Sequence, residues 1–319
     1  MRILFMGTPA FAAASLEALV GAEQFDIIRV ITQPDRPKGR GMTLQPSEVK
    51  LLAQQHQLPL WQPERVDTPE FLQIFDQLNP DIVVVVAFGQ KIPAKILFEP
   101  IYGCVNVHGS LLPKYRGAAP IQWSILNGDQ TTGVTTMYMD EGWDTGDLIY
   151  QESLTIPGDQ TFGELYQNLA ELGGKLLVKT LLDIKSGVAP RVPQDHTQAT
   201  TAPKLKTAME QIDWNVSGQG IYNKIRLFTP TPGAETFFNS ERLKVIKAHF
   251  ADEPVSHQRP GEIINIDKKI GIAVATGDRP LWITAIQPVG KKIMSAIDFA
   301  NGRRLKPGMI FGETDYIIT

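Results

Sequence analysis

The 319-residue chain predicts an α/β fold: a doubly wound, mostly parallel sheet, followed by a small C-terminal β-barrel or sandwich. Three observations carry that expectation. Apolar runs of strand length alternate with helix-period segments as far as Gly187, the pattern of successive β–α–β units. A Pro-, Thr- and Gln-rich stretch, "VAPRVPQDHTQATTAPKLK", then breaks the alternation. Beyond it come short strands with period-two alternation, separated by turn residues.

The elements follow in order. "RILFMG" (2–7) is an uninterrupted apolar run ending in Gly, as expected of a strand buried on both faces. Thr8 and Pro9 suit an N-cap and first helical turn, and "AFAAASLEALVG" is a helix closed by Gly21. "DIIRVITQP" (26–34) completes the opening unit. "PDIVVVVAFG" (80–89) is the strongest strand, five branched residues between Pro80 and Gly89. "CVNVHG" is the next strand and "APIQWSILNG" a helix. "TTGVTTMYMD" (131–140) and "DLIYQES" (147–153) are further strands. Residues 161–187 form one long helix with Gly173–Gly174 inside it. Residues 190–206 are expected to link a first domain, 1–189, to a second, 207–319, whose strands are "RLKVIKAHF", "GEIINIDKKIGIAVAT" and "LWITAIQPVG".

Composition narrows the class. With 43% apolar and 20% charged residues, this is an ordinary globular protein. The single cysteine, Cys104, excludes an internal disulfide framework and a Cys-clustered zinc site, and it suits a reducing, cytoplasmic setting. Gly7-Thr8-Pro9 and Glu17 interrupt the apolar N-terminus, so a strand, turn and helix is expected there rather than a signal peptide. No apolar run approaches the roughly 20 residues of a membrane span. Charge divides unevenly: residues 1–203 hold 15 Lys/Arg against 22 Asp/Glu, residues 204–319 hold 16 against 12. A net of −7 is thus followed by +4, which suits a C-terminal module that meets a polyanion.

The chemistry concentrates after two strands. Asn106 and His108 alternate on one strand, so they share a face. They end at Gly109, where open α/β sheets bind ligands. "MDEGWDTGDLIY" (139–150) crowds Asp140, Glu141, Asp144 and Asp147 into a Gly-flanked loop, and any of these could bring a carboxylate to His108 and favour its charged form. "GTPAFA" keeps only the first glycine of a dinucleotide fingerprint, which disfavours a dehydrogenase. There is no H-E-x-x-H or G-x-S-x-G pattern, Cys104 has no activating neighbour, and no metal is expected. An amide, an imidazole and a carboxylate without a nucleophile suit direct acyl transfer to a bound amine.

"VNVHGSLLPKYRGAAPIQW" together with "DTGD" resembles the folate-dependent formyltransferases. "RILFMGTPAFA", "TQPDRPKGRGMTLQPSEVK", "TAPKLKTAMEQIDW" and "QPVGKKIMSAIDFANGRR" extend the likeness over nearly the whole chain, toward members that act on methionyl initiator tRNA. The resemblance implies a Rossmann-like catalytic domain and an OB-like C-terminal domain. Asn106, His108 and Asp144 match the family's catalytic triad, the D-T-G pattern selecting Asp144. Phe88, Gly89 and Ile92, with Ser110, Leu111, Leu112 and Pro113, match its folate-binding walls. The donor implied is 10-formyltetrahydrofolate, and the acceptor is the α-amino group of methionine on initiator tRNA. The basic loop 34–50, with Arg36, Lys38 and Arg40, matches a loop that enters the acceptor arm. Arg40 matches its key arginine. Lys204, Lys206, Lys291, Lys292, Arg303 and Arg304 are candidates for a positive face along the tRNA. A monomer is expected. The alternative is a formyltransferase for a small amine such as glycinamide ribonucleotide or an amino sugar nucleotide, which needs the triad but neither the basic loop nor the positive module.

Overall fold

A computed structural model describes residues 1–38, 43–251 and 258–312. The backbone divides into two compact units. One comprises Met1–Ile121, Thr131–Thr155 and Leu165–Pro203; the other takes Gln122–Gln130, Ile156–Glu164 and the chain from Lys204.

In chain order the elements are β1 (Arg2–Gly7), α1 (Ala10–Val20), β2 (Asp26–Ile31), β3 (Arg36–Lys38), β4 (Thr43–Gln45), α2 (Glu48–Gln55), β5 (Leu60–Trp61) and α3 (Pro69–Leu78). Next come β6 (Ile82–Val86), α4 (Ala94–Phe98), β7 (Cys104–His108), α5 (Pro120–Leu126), β8 (Thr131–Tyr138), β9 (Leu148–Thr155) and α6 (Phe162–Ser186). Seven strands form one sheet in the order β5-β2-β1-β6-β7-β8-β9. The first five are mutually parallel, and β8 and β9 add antiparallel pairs. The chain winds outward from β1 in both directions, so the expected doubly wound, mostly parallel sheet is present. Every residue of β6 and β7 is buried, which is why both read as continuous apolar runs rather than alternating ones.

The glycine pair inside α6 has a packing cause. A Cβ on Gly174 would lie 2.9 Å from the Ala14 carbonyl and 3.0 Å from the Ala18 Cβ of α1. Glycine at a helix interior costs about 1 kcal/mol, and here it lets two helices approach closely.

Several local expectations change. The Thr8 hydroxyl does not cap α1; it donates to the Phe88 carbonyl (3.2 Å), and Pro9 is the N-cap residue without a side-chain bond. The segment 34–50, expected as a basic loop, contains the β3–β4 hairpin and the start of α2, capped by Ser47. Within 190–206, expected as a linker, Val192 pairs with Leu148 and Thr201 with Arg116.

The second unit contains α7 (Gly218–Phe228), β10 (Ala234–Phe238), β11 (Glu241–Phe250), β12 (Ile263–Asp267), β13 (Gly271–Val274), β14 (Leu281–Pro288), β15 (Met294–Ser295) and α8 (Ala296–Arg303). Its strands are antiparallel, in the order β10-β11-β14-β13-β12 with β15 on β14. Its helices were not evident from the sequence, because "GQGIYNKIRLF" and "AIDFANGR" are short and carry glycine. The buried Arg226 of α7 explains why earlier segments belong here. Its guanidinium donates to the carbonyls of Gln160 (3.3 Å) and Ile125 (3.4 Å), and Asn223 reaches the Leu126 carbonyl (3.4 Å). No helix among the described residues is long and apolar enough to cross a membrane.

Candidate active site

The ends of three adjacent parallel strands set the site. Gly7 of β1 pairs with Val86 of β6, and Val85 of β6 with Asn106 of β7. The turn Ala87–Gly89 therefore lies beside His108 and Gly109. That turn is conformationally demanding: Ala87 has φ 44° and Gly89 φ 86°. Thr8 Oγ1 and Gln33 Nε2 both donate to the Phe88 carbonyl at 3.2 Å and hold it in place.

Asn106 is 9% exposed and His108 6%. The four acids of the following loop are sorted by their partners. Asp140 accepts from Gly142 N (3.0 Å) and Thr145 Oγ1 (2.7 Å), within its own loop. Asp147 pairs with Arg191 at 3.0 Å, and Glu141 is exposed. Asp144 alone of the four meets the strand pair. Its Oδ1 lies 3.4 Å from Asn106 Nδ2 and 3.7 Å from His108 Nδ1, and its Oδ2 accepts from the Gly117 amide at 2.7 Å.

The route of Asp144 differs from the simplest expectation. Because β8 runs antiparallel to β7, its last residue, Tyr138, sits opposite Val105. The acidic loop thus leaves the sheet beside the start of β7 and returns to the Asn106–His108 pair. A left-handed backbone at Asp144, φ 54°, accompanies that return and is uncommon for a residue with a Cβ.

His108 has a defined proton position. Its Nε2 is 2.9 Å from the Tyr115 carbonyl. A carbonyl oxygen only accepts, so Nε2 carries the hydrogen. Nδ1 faces the carboxylate, beyond ordinary hydrogen-bond distance. The site thus offers an amide donor, a ring nitrogen and a carboxylate in contact, mostly shielded from water. Such a group can hold negative charge on an acyl oxygen and accept a proton from an attacking amine.

Other expected site residues are placed as follows. Phe88 and Ile92 are buried in the core cluster with Val85 and Leu97. Ser110 is fully buried and donates to the Lys114 carbonyl (2.6 Å), and Leu112 is buried beside it. Gly89 is exposed, while Leu111 and Pro113 are half-buried. Arg36 pairs with Glu64 at 2.9 Å. Arg40 and the Lys38 side chain lie outside the described residues. Asp35, at the base of the hairpin, accepts from Gln62 (2.8 Å) and Lys50 (2.7 Å), which hold its carboxyl below the usual range. Lys204, Lys206, Lys291, Lys292, Arg303 and Arg304 are all exposed, and Arg303 is paired with Glu241. Gly117 and Tyr115, which contact Asp144 and His108, were not among the residues singled out from the sequence; the Gly following Arg116 in "PKYRGAAP" was the only signal for them.

The chain is similar to known proteins along nearly its whole length. Residues 1–181 match the family described as Formyl transferase, and residues 204–304 match Formyl transferase, C-terminal domain. A methionyl-tRNA formyltransferase of Moorella thermoacetica is 48% identical over 312 residues, 98% of this chain and 99% of its own length. One from Pelotomaculum thermopropionicum is 45% identical over 313 residues, again 98% and 99%. Among solved structures, an N-formyltransferase of Helicobacter canadensis, in complex with folinic acid and dTDP-3-aminofucose, has a TM-score of 0.65 at 19% identity over 90% of this chain and 99% of that one. A methionyl-tRNA formyltransferase from Clostridium thermocellum has a TM-score of 0.54 at 17% identity, covering 79% and 94%. At such identity the two structures speak for the fold alone.

Proposed function

The chain belongs to the formyl transferase family, and from that premise we propose that it moves the formyl group of 10-formyltetrahydrofolate to the free α-amino group of methionyl initiator tRNA. The observation that carries the reading is the meeting of Asn106, His108 and Asp144 at one point. The acceptor follows from relatives of 45% and 48% identity along essentially the full chain, both methionyl-tRNA formyltransferases.

The residues present suit such a donor. Gly89 is open at the end of β6, and Leu111 and Pro113 offer half-buried apolar surface just after β7. In this reading they contact the folate, with Phe88, Ile92, Ser110 and Leu112 supporting them from behind. When bound, 10-formyltetrahydrofolate supplies an activated one-carbon acyl group.

The chain's own groups then divide the work. Asn106 Nδ2, whose resting bond to Asp144 is long, turns its hydrogen to the formyl oxygen as negative charge develops there. Asp144, anchored by the Gly117 amide, takes the proton that the amine must lose as its new C–N bond forms. His108 Nδ1 shares that proton with Asp144 and supports the oxygen's charge, while the Tyr115 carbonyl fixes the ring through Nε2; as the bond from the formyl carbon to N10 of the folate breaks, the proton passes to that nitrogen, and tetrahydrofolate leaves. Burial makes each of these interactions stronger than in water.

For the acceptor, Arg36 and Lys38 of β3, with Arg40 two residues further along the sequence, are the proposed contacts to the acceptor arm. The exposed Lys204, Lys206, Lys291, Lys292 and Arg304, with Arg303, are the proposed contacts to the tRNA backbone. A monomeric cytoplasmic enzyme is the proposed form. The test is a comparison of initial rates, at one donor concentration, on methionyl initiator tRNA, glycinamide ribonucleotide and an amino sugar nucleotide. Formylation of the tRNA with a far higher kcat/KM is expected. Faster formylation of either small amine would overturn the acceptor assignment.

A further inference from the structure

Residues 192–202 form a brace across the catalytic unit. At one end Val192 exchanges both backbone hydrogen bonds with Leu148 of β9, at 2.8 and 3.0 Å. At the other, Arg116 N donates to the Thr200 carbonyl (2.8 Å), Ala202 N to the Arg116 carbonyl (2.7 Å), and Ala119 N to the Ala202 carbonyl (3.0 Å). Tyr115 N adds a bond to Thr200 Oγ1 (2.8 Å). The brace also packs tightly on Gly117, where a Cβ would lie 2.9 Å from the Ala202 carbonyl and φ is 119°. The loop that supplies the Gly117 amide and the Tyr115 carbonyl is thereby tied to the strand that follows the Asp144 loop.

Gln194 sits between these two sets of ties and is 6% exposed. Its Nε2 donates to the Asp144 carbonyl (2.9 Å) and the Gly146 carbonyl (2.7 Å). Its Oε1 accepts from Arg116 Nη2 (2.6 Å) and Nε (3.2 Å). A carboxamide has two hydrogens to give and an oxygen that accepts, and all are used. Both carbonyls belong to the turn in which Asp144 takes its left-handed backbone. A residue with a Cβ keeps that conformation only when its surroundings over-determine it.

We propose that Gln194 is a positioning residue for formyl transfer: held by Arg116, it clamps the Asp144–Gly146 turn and thereby sets the Asp144 carboxylate against Asn106 and His108. The inference rests on Asp144 being the carboxylate of the site, as read above. Gln194 touches neither substrate nor reacting atom in this role.

The test is a double-mutant cycle in the full chain, read by single-turnover formylation of methionyl initiator tRNA. Gln194→Met keeps the volume and removes all the bonds. Gln194→Glu keeps the acceptor for Arg116 and, when ionised, has no hydrogen for the two carbonyls. Each is expected to lower the rate about 10- to 100-fold, the scale of a displaced catalytic group. Affinities for donor and tRNA should stay within about twofold. In an Asp144→Asn background the same substitutions should change the rate by less than about threefold, because residues acting as one unit are not additive. Should Gln194→Met fail to fold, Gln194→Glu carries the cycle. An unchanged rate, or the same fold-loss with and without Asp144, would overturn the proposal. Absence of formylation by the wild-type protein would instead overturn the functional reading on which it rests.

Discussion

Asn106→Ala separates chemistry from folding more sharply than other changes at the site. Asn106 lies within the β7 ladder, and its strand is held by backbone pairing to β6 and β8. Its side chain makes one long bond, 3.4 Å to Asp144, so truncation costs the fold only about 1 kcal/mol. The same amide, given to a developing oxyanion in a buried site, contributes about 2.7–4 kcal/mol. At about 1.36 kcal/mol per tenfold, that is roughly 10²- to 10³-fold in turnover. The assay is single-turnover formylation with both substrates saturating, beside thermal unfolding and equilibrium binding of donor and tRNA. Turnover should fall by that factor, with affinities nearly intact and a small shift in Tm. A loss below about tenfold, or one expressed in KM alone, would refute the role assigned to the amide.

Other expectations follow from different parts of the molecule. Arg40→Ala should harm use of tRNA far more than binding of the folate donor; equal damage to both would contradict the loop assignment. Cys104 is 1% exposed and burial pushes its thiol well up from its ordinary value, so it stays protonated at neutral and mildly alkaline pH. A disulfide reagent at pH 8 should label the native protein very slowly and release one equivalent on denaturation; rapid native labelling would contradict the burial of β7. The Asp278 carboxylate accepts from the Gly218 amide (2.7 Å) and the Arg279 amide, which hold it below the usual carboxylate range. Its contribution is therefore fully present above the unfolded value near 3.9 and is lost as pH falls through the lower folded value. In denaturation curves Asp278→Asn should be less stable than wild type at pH 7, with the difference shrinking below about pH 4; a pH-independent difference would count against this linkage.

How much could be read in advance depended on distance along the chain. The buried strands were legible because a parallel sheet covered on both faces demands continuous apolar runs, and "IVVVV" and "RILFM" supply them. The shared face of Asn106 and His108 followed from strand alternation alone. Composition and spacing could not choose Asp144 among four nearby acids. That choice depends on the antiparallel turn of β8 and on the Gly117 amide, both set by tertiary contacts. The brace was hidden for a related reason. Pro- and Thr-rich composition reports local freedom, whereas Gln194 and Thr200 are ordered by partners some 50 to 85 residues away in sequence. The pairing of Arg36–Lys38 with Thr43–Gln45 was missed because neither short strand has an apolar face to announce it.

The most direct test of the account follows a radiolabelled formyl group by rapid quench after mixing the protein, labelled 10-formyltetrahydrofolate and methionyl initiator tRNA, counting label in the folate, protein and tRNA fractions over time. Direct transfer by Asn106, His108 and Asp144 predicts that label passes from folate to methionyl-tRNA with none attached to protein at any time. Label accumulating on the protein before the tRNA, or none reaching the tRNA, would contradict it.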